Sequence, residues 1–360
     1  MVPYFLRQVY AFRLNRKEWD VNHAETSPGV TIDTRNEGRK AAWFTGRFLV
    51  GFAILWAIFY GLFRAFPCLS NGAGVIYSSK LDQELHSSIF PANPGTRRVL
   101  MFGDSRVLAG FVPDIFDHLA AADGLNITSY NSGYPGIATF VPQLKIMVEN
   151  KSNVPEVLLL TNPWESTVHG FNAFHPLPDD HDIVDRLFPF RNLLRDSLSF
   201  LITSREHGGV LNFYRESRLS VAKMLQDRGY YFVVEQSHYP NNSLPDNFHL
   251  SSDQPDAVAL RNADVDSSQL LEFNEIIRKH HIQCYFVPNY LREGSQAPAP
   301  AVDGSFEVIL ERYTSCRMLG PDYYLYPNHL FSDVMHLNPE GAKVYTEVLY
   351  RLLAKPALER

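Results

Sequence analysis

Between Arg47 and Arg64 the chain runs for sixteen residues, FLVGFAILWAIFYGLF (Phe48–Phe63), without a charge or a proline. About 20 apolar residues cross the hydrocarbon core of a bilayer. The flanking WFTG ahead of this run and AF behind it supply that length, with the two arginines reaching outward along their aliphatic stems. Trp43, Trp56 and Tyr60 are the amphipathic rings that favour the membrane–water boundary. A buried core helix is the other use of such a run. A cleaved signal peptide fits poorly, because 47 residues precede the run and no small-x-small site follows it. We therefore expect residues 43–66 to form one transmembrane helix surrounded by membrane lipid.

Charge sets the orientation. Residues 1–47 carry eight Lys/Arg, among them Arg13, Arg16, Lys17, Arg39 and Lys40, whereas 64–96 carry only Arg64 and Lys80. The positive-inside bias puts residues 1–42 in the cytoplasm and everything after Arg64 outside. The expectation is a single-pass inner (cytoplasmic) membrane protein whose main domain is periplasmic or extracellular.

The rest of the 360-residue chain has an ordinary globular make-up, 45% hydrophobic and 20% charged. Its formal charge of -6 argues against a nucleic-acid partner, which calls for a basic surface. Residues 67–96, rich in Ser, Asn and Gly, read as a stem leading to an outer domain at 97–355. Short apolar or β-branched runs at Val99–Phe102, Thr128–Tyr130, Val157–Leu160, Tyr231–Val234 and Cys284–Val287 are expected strands. Helical patterns lie between them. PDIFDHLAAADG stops at Gly124, and QLLEFNEIIRKHH sets Leu270, Phe273, Ile276 and Ile277 on one face. Alternation of this kind predicts an α/β domain with a mostly parallel sheet covered on both faces. The stretch 164–266, rich in Pro, His, Asp and aromatics, reads as an elaboration with helices around Leu198–Ile202 and Leu219–Gln226. Its histidines lack metal-ligand spacing, so no metal or cofactor is expected. Cys284 and Cys316 either pair in an oxidising compartment or stand as buried free thiols; spacing does not decide, and free thiols are the expectation.

Two short stretches carry chemistry. VLMFGDSRVLAGF (Val99–Phe111) places Ser105 at a strand-to-helix turn, on the sheet edge where α/β proteins gather their ligands. FSDVMHLNPEGAKVY (Phe331–Tyr345) places Asp333 three residues before His336, just ahead of a helix with Asn338 as its cap and Pro339 as its first residue. A carboxylate so placed can fix the imidazole's tautomer and leave its other nitrogen free to take a proton from a serine. In addition, SYNSGYPG (Ser129–Gly136) offers the backbone N–H of Gly133, and LLLTNPWES ends a strand at Asn162, whose amide could face an oxyanion.

In four blocks and their order the chain resembles the SGNH, or GDSL-type, hydrolase superfamily: GDS at 103–105, NSG at 131–133, Asn162 after the third strand, and DVMHLNPEG at 333–341. The resemblance implies a flavodoxin-like three-layer sandwich. It makes Ser105 the nucleophile, His336 the base and Asp333 its orienter, with an oxyanion hole formed by the Ser105 and Gly133 N–H groups and the Asn162 amide. The third block departs from the family's Gly-x-Asn-Asp, reading Thr161-Asn162-Pro163-Trp164, and Pro163 alters the exit from the strand. GDSR, NSGYPG and DVMHLNPEGAKVY are most similar to a membrane-anchored branch: exopolysaccharide O-acetylation proteins and the D-alanyl transfer protein of teichoic acid assembly. That likeness implies a serine acyl esterase or O-acyltransferase acting on an extracytoplasmic glycan or a small acyl ester, with a polytopic membrane O-acyltransferase as acyl supplier. Hydrolysis and transfer use the same triad. The alternative is a non-catalytic subunit that keeps the fold as a scaffold in an envelope assembly.

Overall fold

Alternation along the first strand sets the layers of the outer domain. In β1 (Arg97–Gly103), Val99 and Met101 join one buried cluster while Leu100 and Phe102 join another. A strand buried on both faces belongs inside a parallel sheet. The computed structural model describes residues 34–66, 72–91, 95–135, 140–161, 188, 190, 193–232, 239–250, 267–294, 312–321 and 323–354. Within them β1 pairs in parallel with β2 (Ile127–Gly133) on one side and β3 (Val157–Thr161) on the other. β4 (Gln283–Val287) adds to β3. The short β6 (Arg317–Met318) closes the far edge, giving a five-stranded sheet in the order β2-β1-β3-β4-β6. β5 (Asn289–Arg292) and β7 (Tyr323–Tyr326) form a separate parallel pair.

The helices cover both faces. α4 (Pro113–Ala122) and α9 (Pro339–Ala354) bring Phe116, Tyr345, Leu349 and Leu353 to the Val99–Met101 side. α5 (Phe140–Glu149) and α8 (Ser267–Lys279) bring Leu144, Met147, Leu270, Phe273 and Ile277 to the Leu100–Phe102 side. Asn338 caps α9 as expected, its Oδ1 accepting the Gly341 N–H at 3.0 Å. The elaboration holds helices α6 (Leu193–Thr203) and α7 (Val210–Gln226), each longer than its expected span.

The chain divides into two units, Met1–Ala57 and Ile58–Arg360. The apolar run lies on α1 (Thr34–Ala65), whose Lys40–Ala65 segment holds a window of mean hydropathy 1.9, none of it buried in protein. At 1.5 Å per residue its 26 residues extend about 39 Å, enough to cross a membrane core of about 30 Å. One helix of the described residues is thus long and apolar enough to span a membrane.

Three expectations are corrected. The stretch read as a stem does not stand apart from the outer domain: it contains α2 (Gly72–His86), with Val75, Ile76, Lys80 and Glu84 buried, followed by buried Ile89 and Phe90. Asn153 ties its end down, donating to the Glu84 and Ser87 carbonyls at 2.7 and 2.9 Å and accepting the Ile89 N–H at 2.9 Å. The run at Tyr231–Val234 is no strand where it is described; Tyr231 instead donates its N–H to the Leu108 carbonyl at 3.0 Å, and Val233 and Val234 lie outside the described residues. Cys284 and Cys316 are not free thiols but a disulfide. Pairing of β4 with β6 brings their Cα atoms to 4.6 Å, a proximity that 32 residues of sequence separation do not reveal.

Candidate active site

The sheet's strand order reverses beside β1: the chain passes from β1 to β2 on one side, then crosses to β3 on the other. Ligand sites in parallel sheets form beyond the strands' carboxyl ends at such a reversal. There β1 ends at Gly103, Asp104 turns the chain, and Ser105 opens the six-residue helix α3 (Ser105–Gly110). Asp104 is the cap, its Oδ1 accepting the Arg106 N–H at 2.9 Å. Arg106 folds back so that its Nη2 donates to Asp104 Oδ2 at 2.6 Å. Burial alone would raise the Asp104 carboxyl. The Arg106 charge and hydrogen bonds, with a smaller pull from His336, overcome it and hold the group below its ordinary range. Asp104 therefore stays an anion that shapes the turn.

The partner residues come from a loop pinned at both ends. Phe331 and Leu337 form an antiparallel bridge, and the Ser332 N–H donates to the His336 carbonyl at 2.9 Å. Inside the loop Asp333 Oδ1 accepts the N–H groups of Met335 and His336 at 2.8 and 2.7 Å, an Asx turn that follows from aspartate at this spacing. The other oxygen, Oδ2, lies 2.8 Å from His336 Nδ1. On the far side of the ring His336 Nε2 lies 2.8 Å from Ser105 Oγ. Residues 231 positions apart thus form one chain of hydrogen bonds, with His336 between Ser105 and Asp333. Since a carboxylate only accepts, Nδ1 carries the proton and Nε2 is left to accept from the Ser105 hydroxyl. Burial acts to raise Asp333, but hydrogen bonds and charge from His336, with the two loop N–H groups, win and hold its carboxyl low. Ser105 is half-buried.

Two ties keep these segments in register. Thr346 of α9 accepts the Val112 N–H at 3.0 Å, just past the end of α3. Tyr290 OH donates to the Arg106 carbonyl at 2.9 Å.

The expected oxyanion donors fare differently. Ser105 N–H, at the first position of α3, has no partner within the helix. Gly133 stands opposite Gly103 in the sheet register, but its N–H donates to Asn131 Oδ1 at 2.8 Å. Its lack of a side chain serves packing, for a Cβ there would fall 2.2 Å from the backbone nitrogen of Leu108 in α3. Asn162 lies outside the described residues. Among the described residues no group of three His, Cys, Asp or Glu could hold a metal ion.

Sequence reasoning passed over Asn131, Lys80 and Glu84. The Asn131 amide donates to the carbonyls of Val107 and Phe111 at 2.8 and 2.7 Å, clamping the end of the helix that carries Ser105. Behind it, buried Lys80 donates to the carbonyls of Asn131 and Gly229 at 2.6 and 3.0 Å. Gly229 is held at φ +88, and a Cβ there would meet the Asn131 carbonyl oxygen at 2.1 Å, so only glycine fits. Glu84 accepts from Ser132 Oγ at 2.9 Å and from the Tyr134 hydroxyl. Burial lowers the Lys80 pKa and raises that of Glu84, each partly offset by the charge of the other. The one available signal was Lys80 and Glu84 four apart, in step with Ile76.

Compared with known proteins, the chain matches no family model and no curated protein.

Proposed function

We propose that this protein is a serine acyl esterase or O-acyltransferase of the SGNH type, built as a flavodoxin-like three-layer sandwich and held at a membrane by α1. The observation that carries the reading is the continuous relay Ser105 Oγ–His336 Nε2, His336 Nδ1–Asp333 Oδ2, at 2.8 Å in both steps. In the proposed reaction Ser105 Oγ attacks an acyl carbonyl carbon while its proton passes to His336 Nε2. The imidazolium, steadied by Asp333, returns that proton to the departing oxygen, leaving the acyl group on Ser105. Water or a sugar hydroxyl then attacks the acyl carbon, and its proton again passes through Nε2. The Ser105 N–H is an oxyanion donor in this reading, with Asn162 the second candidate.

The membrane orientation is part of the same proposal: amino terminus in the cytoplasm, catalytic domain in the periplasm or outside the cell. Two independent features support it, the basic residues ahead of α1 and the Cys284–Cys316 disulfide, which persists in oxidising compartments. An extracytoplasmic glycan as acceptor and a polytopic membrane O-acyltransferase as supplier rest on the family likeness of the sequence blocks. The deciding experiment is fluorophosphonate labelling of the full-length protein, with the modified peptide mapped. Labelling at Ser105 that is lost in His336→Ala supports the enzyme. Absence of labelling, with normal glycan acylation in cells carrying Ser105→Ala, assigns the fold a scaffolding part instead.

A further inference from the structure

The loop that supplies Asp333 and His336 also forms one wall of a cavity of about 280 Å³, whose other wall is Tyr239, Leu244 and Phe248. The loop's most exposed side chains there are apolar: Val334 and Met335 are 40% and 49% exposed, beside Asp333 and His336, where solvent-facing side chains are ordinarily polar. The opposite wall is strapped in place. Leu244 donates its N–H to the Phe331 carbonyl at 2.9 Å, and Asn328 donates to the Asp246 carbonyl at 2.7 Å. Tyr239 meets Phe248 edge-on at 5.8 Å, and the Arg292 guanidinium sits 5.0 Å from the Phe248 ring. The cavity is thus mainly apolar, and among the described residues its lining includes His336 and Asp333 but not Ser105.

That placement distinguishes the two halves of an ester. The acyl half becomes bonded to Ser105 Oγ and must lie beside it. The alcohol oxygen receives its proton from His336 Nε2, so whatever is attached to that oxygen extends over His336. We propose that this cavity receives the apolar part of the alcohol half of the ester, making Leu244, Phe248, Val334 and Met335 determinants of leaving-group specificity. The inference rests on the acyl-transfer reading above and adds the chemistry of the alcohol: an alkyl or aromatic group, or a sugar presented by its apolar face. No further reactant is needed, since the alcohol leaves with the proton that Ser105 gave to Nε2.

The test uses the full-length protein in lipid nanodiscs with two homologous series, acetates of methanol through butanol and methyl esters of acetate through pentanoate. We expect kcat/KM to rise about fourfold per methylene along the alcohol series, the value of burying one CH₂, and to stay flat along the acyl series. Met335→Ser and Phe248→Ala should flatten the alcohol slope, and Met335→Leu should restore it. A slope along the acyl series instead, or none along either, overturns the proposal. Failure of the esterase reading itself would show as no turnover of any ester. The cavity is then still tested by titrating butan-1-ol against the ¹³C-methyl signal of Met335: a saturable shift supports an apolar-alcohol site, and an unchanged signal overturns it.

Discussion

Two pairs of a carboxyl and a nitrogen base in this protein sit three or four residues apart in sequence, yet they are built in opposite ways. Asp333 and His336 lie in a loop, with side chains 29% and 24% exposed, and hydrogen bonds hold the carboxylate charged. Lys80 and Glu84 lie on α2, wholly buried, where desolvation pushes both groups toward their neutral forms. The first pair points its spare nitrogen at a serine hydroxyl. The second spends its donors and acceptors on the framework: Lys80 on the carbonyls of Asn131 and Gly229, Glu84 on Ser132 and Tyr134. The difference teaches that exposure, more than residue type, decides whether a charged pair can act on a substrate. A proton must be able to leave and return, and a partner must be able to arrive.

The contrast breaks most easily at the triad. On the acyl-transfer reading proposed above, Ser105→Ala and His336→Ala should each lower ester turnover by about three to six decades, and the double variant by scarcely more, because a triad acts as a unit. Ser105→Ala removes one hydrogen bond and His336→Ala two, so the unfolding free energy should fall by no more than about 1 and about 2 kcal/mol respectively. Turnover of small esters and urea unfolding of the detergent-solubilised full chain measure the two effects. Comparable losses in both would erase the distinction between the two pairs.

The converse holds at the buried pair. Lys80→Met leaves Glu84 without its countercharge and two carbonyls without a donor, and should destabilise the domain by about 3–5 kcal/mol. The double variant Lys80→Met/Glu84→Leu should recover a large part of that loss, since replacing a whole buried pair by apolar residues is often neutral. Residual folded protein should keep normal fluorophosphonate labelling at Ser105. If the double variant is as unstable as the single one, the pair's attachments to β2 matter more than its charges.

What sequence could and could not reveal follows the same divide. The helix at Pro339 was legible from its cap, its proline and the stripe Tyr345, Leu349, Leu353, and the structure has it where expected. Ser105, Asp333 and His336 were legible because each stands in a short block at the edge of an element: the serine at a strand-to-helix turn, the aspartate three residues before the histidine ahead of the Asn338 cap. Helix α2 was missed because its buried residues at a spacing of four, Ile76, Lys80 and Glu84, are apolar only at the first position, so no apolar stripe marks it. Its partners lie in β2 and after α7, 51 and 149 residues away from Lys80, and only the tertiary fold brings them together. Gly133 misled for a related reason. A glycine beside a serine at a sheet edge has two uses, and here its N–H is bound by Asn131 while α3 fills the space a side chain would need.

The two edges of the sheet extend the comparison. At the β2 edge, α2 is joined through buried polar groups. At the other, Cys284 of β4 is covalently joined to Cys316 just before β6. Closing a loop over 32 residues is worth about 3–4 kcal/mol by chain entropy, somewhat less than the upper range for breaking the Lys80 pair. Cys284→Ser/Cys316→Ser should lower stability by roughly that amount, read by the same urea unfolding, and leave ester turnover of the folded fraction unchanged. A dithiothreitol-treated wild type should match it. A loss of turnover on reduction would tie the β6 edge to the active site.

The smallest effect concerns acid. Asp333 has its folded pKa below the ordinary 3.8, so the unfolded chain binds its proton more readily than the native loop does. Stability from this group is therefore complete above about pH 4 and is lost as pH falls through the depressed folded value. Asp333→Asn removes this titration. Between pH 5 and pH 2 the difference in unfolding free energy between wild type and Asp333→Asn should shrink, by no more than about 1 kcal/mol for a pair in partial contact with solvent. Lys80 and Glu84 do not confound the measurement, because they are present in both chains and cancel in the difference. A gap that widens toward acid would mean that Asp333 is protonated in the native loop. The carboxylate-to-imidazole half of the relay would then be a neutral hydrogen bond, unable to steady an imidazolium.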